Sequence, residues 1–132
     1  MVNAMEKIQR AKENQSLALD LSGMGLVSLP PQLWQLTALE KLDVSRNQLT
    51  ALPEAIGQLS ALRRFDVSGN QLTELPEAIG RLGALDWLSV SDNQLTALPE
   101  AIGQLSDLQE LRIYGAKLTG LPSSSARLRI HT

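Results

Sequence analysis

The stretch NQLTALPEAIGQLSAL at Asn47–Leu62 returns as NQLTELPEAIGRLGAL at Asn70–Leu85 and as NQLTALPEAIGQLSDL at Asn93–Leu108. A step of 23 residues (47 to 70, 70 to 93) carries each copy onto the next. The same step marks units that start at Ser16, Leu39, Leu62, Leu85 and Leu108. No other feature of the chain limits its folding options as much, because a fixed period of this length demands an array of equivalent structural units. In the second unit the apolar residues are Leu39, Leu42, Val44, Leu49, Leu52, Ile56 and Leu59. Their spacing sustains neither a helix nor a strand. It predicts a coil that changes secondary structure within each turn. LxxLxV alternates as a short strand, and LPEAIGQL has the spacing of a helical turn that Pro53 can open. Ordering one such unit costs more than its own leucines return on burial, so neighbouring units must complete each other's core and pair each other's strands.

The motif LxxLxVSxNxLTxLPxxIGxL resembles the leucine-rich repeat family in its 23-residue typical form. Its LPxxIGxL half is similar to the repeats of Ras-group and many bacterial members. The resemblance runs from Ser16 to about Ile130 and implies an α/β fold: a right-handed solenoid with a concave parallel β-sheet and short helical turns on the convex side. The opening MEKIQRAKENQSLALDLSG resembles the cap helix that precedes such repeats in bacterial proteins, including some Roco-type GTPases. The implied organisation is a cap helix over residues 1–15, five repeats at 16–38, 39–61, 62–84, 85–107 and 108–130, and a tail of residues 131–132. Family resemblance further implies binding of another protein through the concave sheet.

The terminal units depart from the pattern, as the ends of a repeat array do. Met24 and Ala116 stand where the inner units have Asn47, Asn70 and Asn93, and Trp34 stands where Gly57 would. The three asparagines form a structural ladder in this reading, since a buried amide both donates and accepts. Met5, Ile8, Ala11 and Lys12 share one face of the expected cap helix. At the other end SSSA (Ser123–Ala126) replaces EAIG and RLRIHT follows, which leaves an uncapped edge with a capacity for self-association.

Several function classes lose support from composition. There is no cysteine and a single histidine, His131, so no Cys-based or His-based metal or catalytic constellation is available. A net charge of −2 and a pI near 5.3 argue against nucleic-acid binding. The N-terminus lacks a signal-peptide pattern, and no window is apolar enough to cross a membrane, so a cytoplasmic, non-membrane protein is expected. SGMG at Ser22–Gly25 lacks the third glycine and the Lys-Ser/Thr of a phosphate loop. No cofactor and no enzymatic activity are expected. Asp20, Asp43 and Asp66, one per adjacent strand, are close enough in this scheme to raise one another's pKa values.

A partner's contacts belong where the repeat varies. Outward strand positions read Ala18, Lys41, Arg64, Trp87 and Glu110, then Asp20, Asp43, Asp66, Ser89 and Arg112, then Ser22, Ser45, Ser68, Ser91 and Tyr114. Arg64, Trp87, Arg112 and Tyr114 are of the types that dominate interface hot spots. With Lys41, Asp43, Asp66 and Glu110 they make the candidate binding face, sized for one helix or loop of another protein. Two further readings of the array are the recognition part of a larger bacterial signalling or effector protein (Roco-like or host-directed) and a structural repeat that self-associates through its C-terminal edge.

Overall fold

The computed structural model describes residues 2–119 and 129–132; the SSSA stretch lies outside them. Among the described residues one α-helix, α1 (Ala4–Glu13), precedes six short strands: β1 (Ala18–Asp20), β2 (Lys41–Asp43), β3 (Arg64–Asp66), β4 (Trp87–Ser89), β5 (Glu110–Arg112) and β6 (Arg129–His131). The strands form one parallel sheet in chain order. Register advances by whole repeats from β1 to β5 and by 19 residues from β5 to β6 (110 to 129), so that Leu19, Leu42, Phe65, Leu88, Leu111 and Ile130 lie side by side. Between strands the chain returns through 3₁₀ turns at Pro31–Gln35, Glu54–Gln58, Glu77–Arg81 and Glu100–Gln104. The result is a leucine-rich solenoid, with the sheet on one side, the turns on the other and the leucines between.

The turns are narrower than an α-helical turn. Ile56 N–H donates to Pro53 O (3.1 Å), Leu59 N–H to Ile56 O (3.2 Å) and Leu62 N–H to Leu59 O (3.0 Å), each an i→i+3 step. Pro53, Pro76 and Pro99 cap these turns from outside and do not occupy their first position. Tight turns let successive coils stack closely, and the glycines register how closely. A Cβ on Gly80 would lie 2.9 Å from the Ala101 carbonyl oxygen and 2.5 Å from Gln104 Oε1 of the next coil. In the first coil Trp34 takes the equivalent place and is itself buried, so an indole closes the core there.

A second set of bonds joins the coils at the strand ends. Asn47 Nδ2 donates to Leu21 O (3.0 Å), Val44 O (2.9 Å) and Ser45 O (3.2 Å), while its Oδ1 accepts from Met24 N–H (2.9 Å) and Leu26 N–H (3.0 Å). Asn70 and Asn93 repeat the arrangement one coil on, accepting from Leu49 N–H and Leu72 N–H at 3.0 Å. Each amide thus binds its own turn and the coil before it.

Two expectations are corrected at the ends. Helix α1 buries Ala4, Ile8 and Ala11, whereas Met5 is 41% exposed and Lys12 faces solvent. Asn3 accepts from Glu6 N–H (2.9 Å) and so sets where the first turn begins; the face that packs on the first coil is the one that carries positions 4, 8 and 11. Lys7 Nζ donates to the Asp20 carbonyl (2.8 Å), which covers part of the β1 edge. His131, assigned to a tail, lies in β6 opposite Arg112.

Stacking makes a testable distinction between glycines. Gly80→Ala should lower stability by about 1–3 kcal/mol, because the new methyl meets backbone of the next coil. Gly83→Ala, with open space around its Cβ, should change stability by less than about 0.5 kcal/mol. Urea denaturation of the two variants reads the difference.

Candidate functional site

Parallel register turns each outward strand position into a row across the sheet. The first row is Ala18, Lys41, Arg64, Trp87, Glu110 and Arg129; the second is Asp20, Asp43, Asp66, Ser89, Arg112 and His131. At about 4.8 Å per strand the six span roughly 24 Å. The third row differs from expectation. Ser45 and Ser91 are buried, as is Ser89 of the second row. Ser91 Oγ accepts from Tyr114 N–H (2.9 Å), so this hydroxyl serves the turn between coils. Small side chains at the strand ends fold in under their neighbours, because the chain has begun to bend away from the sheet there.

Trp87 is the centre of the C-terminal half. The Arg64 guanidinium carbon lies 4.7 Å from its ring centroid and that of Arg112 5.3 Å, so two cations hold one indole that remains half-buried. Arg112 also pairs with Glu110 on its own strand at 3.7 Å. Its Nε is shielded from solvent and has no hydrogen-bond partner among the described residues, and the same holds for Nε2 of His131. A depression of about 320 Å³ opens here, lined by Arg64, Asp86, Trp87, Gln109, Glu110 and Arg112. Asp86 is tied to Arg63 across the flank at 3.5 Å, an exposed pair of the kind that contributes little stability. Tyr114 stands beyond β5, 43% exposed, with its ring centroid 6.3 Å from that of His131.

The N-terminal half holds Lys41, Asp43 and Asp66, which line a wider, open depression of about 360 Å³ together with Asp20, Arg64 and Trp87. Its aspartates serve the backbone. Asp43 Oδ1 accepts from Ser45 N–H (2.9 Å) and Ser45 Oγ–H (2.6 Å), and Asp66 does the same with Ser68 at 2.9 and 2.6 Å. Asp20 accepts from Ser22 N–H at 2.8 Å. The expectation of mutually raised carboxyl pKa values fails at Asp20. Hydrogen bonds from Ser22, with Lys7 and Arg46 nearby, lower its pKa from the ordinary 3.8 and outweigh the cost of burial.

Sequence reasoning missed His131 and Arg129 as members of this face. The alternation LRIH at Leu128–His131 has strand character, but β6 follows β5 after 19 residues in register (110 to 129), so the period hides it. Among the described residues no group of three or more His, Cys, Asp or Glu could hold a metal, and no helix is long and apolar enough to cross a membrane.

Comparison with known proteins agrees with this architecture. A family model described as Leucine rich repeat matches residues 18–72. The chain is built of leucine-rich repeats. Among solved structures it is similar to a leucine-rich repeat protein of Leptospira interrogans, at 36% identity and a TM-score of 0.76 over 91% of this chain and 37% of that one. It is also similar to a chain in the BIR3–SERK2 complex of Arabidopsis thaliana, at 35% identity and 0.73 over 83% of this chain and 61% of that one. InlP of Listeria monocytogenes matches at 30% identity and 0.64 over 72% of this chain and 26% of that one. The repeat chain thus spans less than two thirds of each of these proteins, two of which are bacterial. A search of curated proteins gives no match.

The lowered pKa at Asp20 predicts a pH signature. A carboxylate favoured in the folded state adds stability above its unfolded value and loses it as pH falls through the lower folded value. Asp20→Ala should therefore melt below the wild type at pH 7, and the gap should close as pH falls below about 4. Thermal melts across that range check it.

Proposed function

We propose that this leucine-rich repeat chain is a protein-binding module whose partner lies along the concave sheet. The observation that carries the proposal is the Trp87 indole, held half-exposed between Arg64 and Arg112. A large, rigid aromatic fixed in advance loses little freedom when a partner covers it, which is the property of an interface anchor. Tyr114 is the second anchor; Arg64 and Arg112 supply charge contacts, with Lys41, Asp43, Asp66 and Glu110 around them. A surface of this width suits one helix or loop, with about 800 Å² or less buried per partner. A leucine-rich repeat chain within a two-protein complex, the BIR3–SERK2 structure, supports the general mode.

The module acts by recognition without chemistry. Leucine-rich repeat arrays are generally protein-binding modules, and the depression beside Asp20, Asp43 and Asp66 is open and has no histidine or cysteine in its lining. A second reading is favoured by the share of its structural neighbours that the chain spans: the recognition part of a larger signalling or effector protein.

A pull-down from lysate with the wild type, Trp87→Ala and Trp87→Ala/Tyr114→Ala, each shown to be folded, tests the face. The expected result is a protein retained by the wild type and lost stepwise in the variants. Equal capture by all three contradicts the assignment.

A further inference from the structure

The depression beside Trp87 brings two arginines and one indole together. Around that ring every acid is already engaged within the protein. Asp66 Oδ1 accepts from Ser68, Asp86 Oδ2 lies 3.5 Å from Arg63, and Glu110 Oε2 lies 3.7 Å from Arg112. The cations are less fully used. Among the described residues no hydrogen bond or ion pair ties the Arg64 guanidinium, and a single ion pair, with Glu110 at 3.7 Å, ties that of Arg112. Both are held in place against the indole at 4.7 and 5.3 Å, so the donors are ordered before any ligand arrives. From these observations, and resting on the concave face being the binding surface, we infer that the partner is an acidic peptide segment. One of its Asp or Glu carboxylates enters the 320 Å³ depression and receives hydrogen bonds from Arg64 and Arg112, while its methylenes lie on Trp87.

Charge around the pocket sets the ligand class more narrowly than charge within it. Asp86 and Glu110 form part of the lining, and Asp66 lies in the row next to Arg64. A polyanion laid across the sheet would meet these carboxylates and the Asp20 and Asp43 beyond them, whereas a single carboxylate meets, beside Arg64 and Arg112, only Asp86 and Glu110, each already paired with an arginine. The same aspartate row repels an acidic segment from the N-terminal half and thereby confines it to β3–β5. Guanidinium–carboxylate hydrogen bonds are worth about 1.5–3 kcal/mol each, roughly ten- to a hundredfold in affinity.

The test is a selection of short random peptides on the intact chain, followed by titration of the selected peptides against wild type, Arg64→Gln, Arg112→Gln and Trp87→Ala. Both arginines are partly exposed, so their variants are expected to fold; circular dichroism confirms it, and either one alone carries the test. Expected are peptides that share an Asp or Glu, bind each arginine variant at least tenfold more weakly, and lose as much when that acid becomes Asn or Gln. A double-mutant cycle should couple the acid to Arg64 or Arg112. Neutral or basic peptides that need Trp87 but ignore both arginine changes would overturn the acidic-ligand inference and leave the concave face intact. Peptides indifferent to Trp87→Ala, or a selection that enriches none, would overturn both.

Discussion

Each inner coil of this protein is closed onto the one before it by a single buried carboxamide. Asn70 Nδ2 donates to carbonyls of two coils, Val44 on one and Val67 and Ser68 on its own, while Oδ1 accepts from Leu49 N–H. These backbone groups lie where the strand ends and regular pairing stops: Val44 O and Val67 O are shared with the neighbouring amides of Asn47 and Asn93, Ser68 O also accepts from Arg46 N–H, and Leu49 N–H rests on Asn70 Oδ1. Leaving one such group buried and unpaired costs about 1–3 kcal/mol. The geometry also explains the fixed period. An amide that must reach its own turn and the preceding one tolerates little change in coil length, so the leucines recur in step with it and fill a continuous core.

Such a scaffold separates stability from recognition. Inward positions of the strands form an unbroken apolar row from Leu19 through Phe65 to Leu111. Outward positions contribute nothing to that row, and the first of them differs from coil to coil. One outward row reads Lys41, Arg64, Trp87 and Glu110, a different residue in each coil. Within it, Trp87 and its two arginines form a preordered cluster, whereas Asp43 and Asp66 are drawn into the turns of their own coils by Ser45 and Ser68. The two halves of the face are chemically different for that reason.

How far the sequence could be read follows from how regular the physics is. Coils, sheet and turns were legible because one spacing rule recurs, and Phe65 could be placed inside because it occupies a leucine position. Features set by local detail were not. The face that α1 turns inward carries Ala4, Ile8 and Ala11 and leaves Met5 exposed, although Met5 is the larger apolar residue. Ser45, Ser89 and Ser91 look outward by alternation but are buried where the strands bend. His131 joins the sheet after a shortened step that a search for the full period passes over. At the site, the residue types at Arg64, Trp87 and Arg112 were visible as candidates, but their assembly around one ring depends on side-chain conformations that no spacing specifies.

The most direct measurement of the central claim, that shared buried amides hold the coils together, is the unfolding free energy of Asn70→Ala in urea. Loss of one side chain that serves two coils should cost about 2–4 kcal/mol and destabilise the array as a whole. A loss below about 0.5 kcal/mol would contradict the account, for it would mean that the leucine core alone keeps the coils in register.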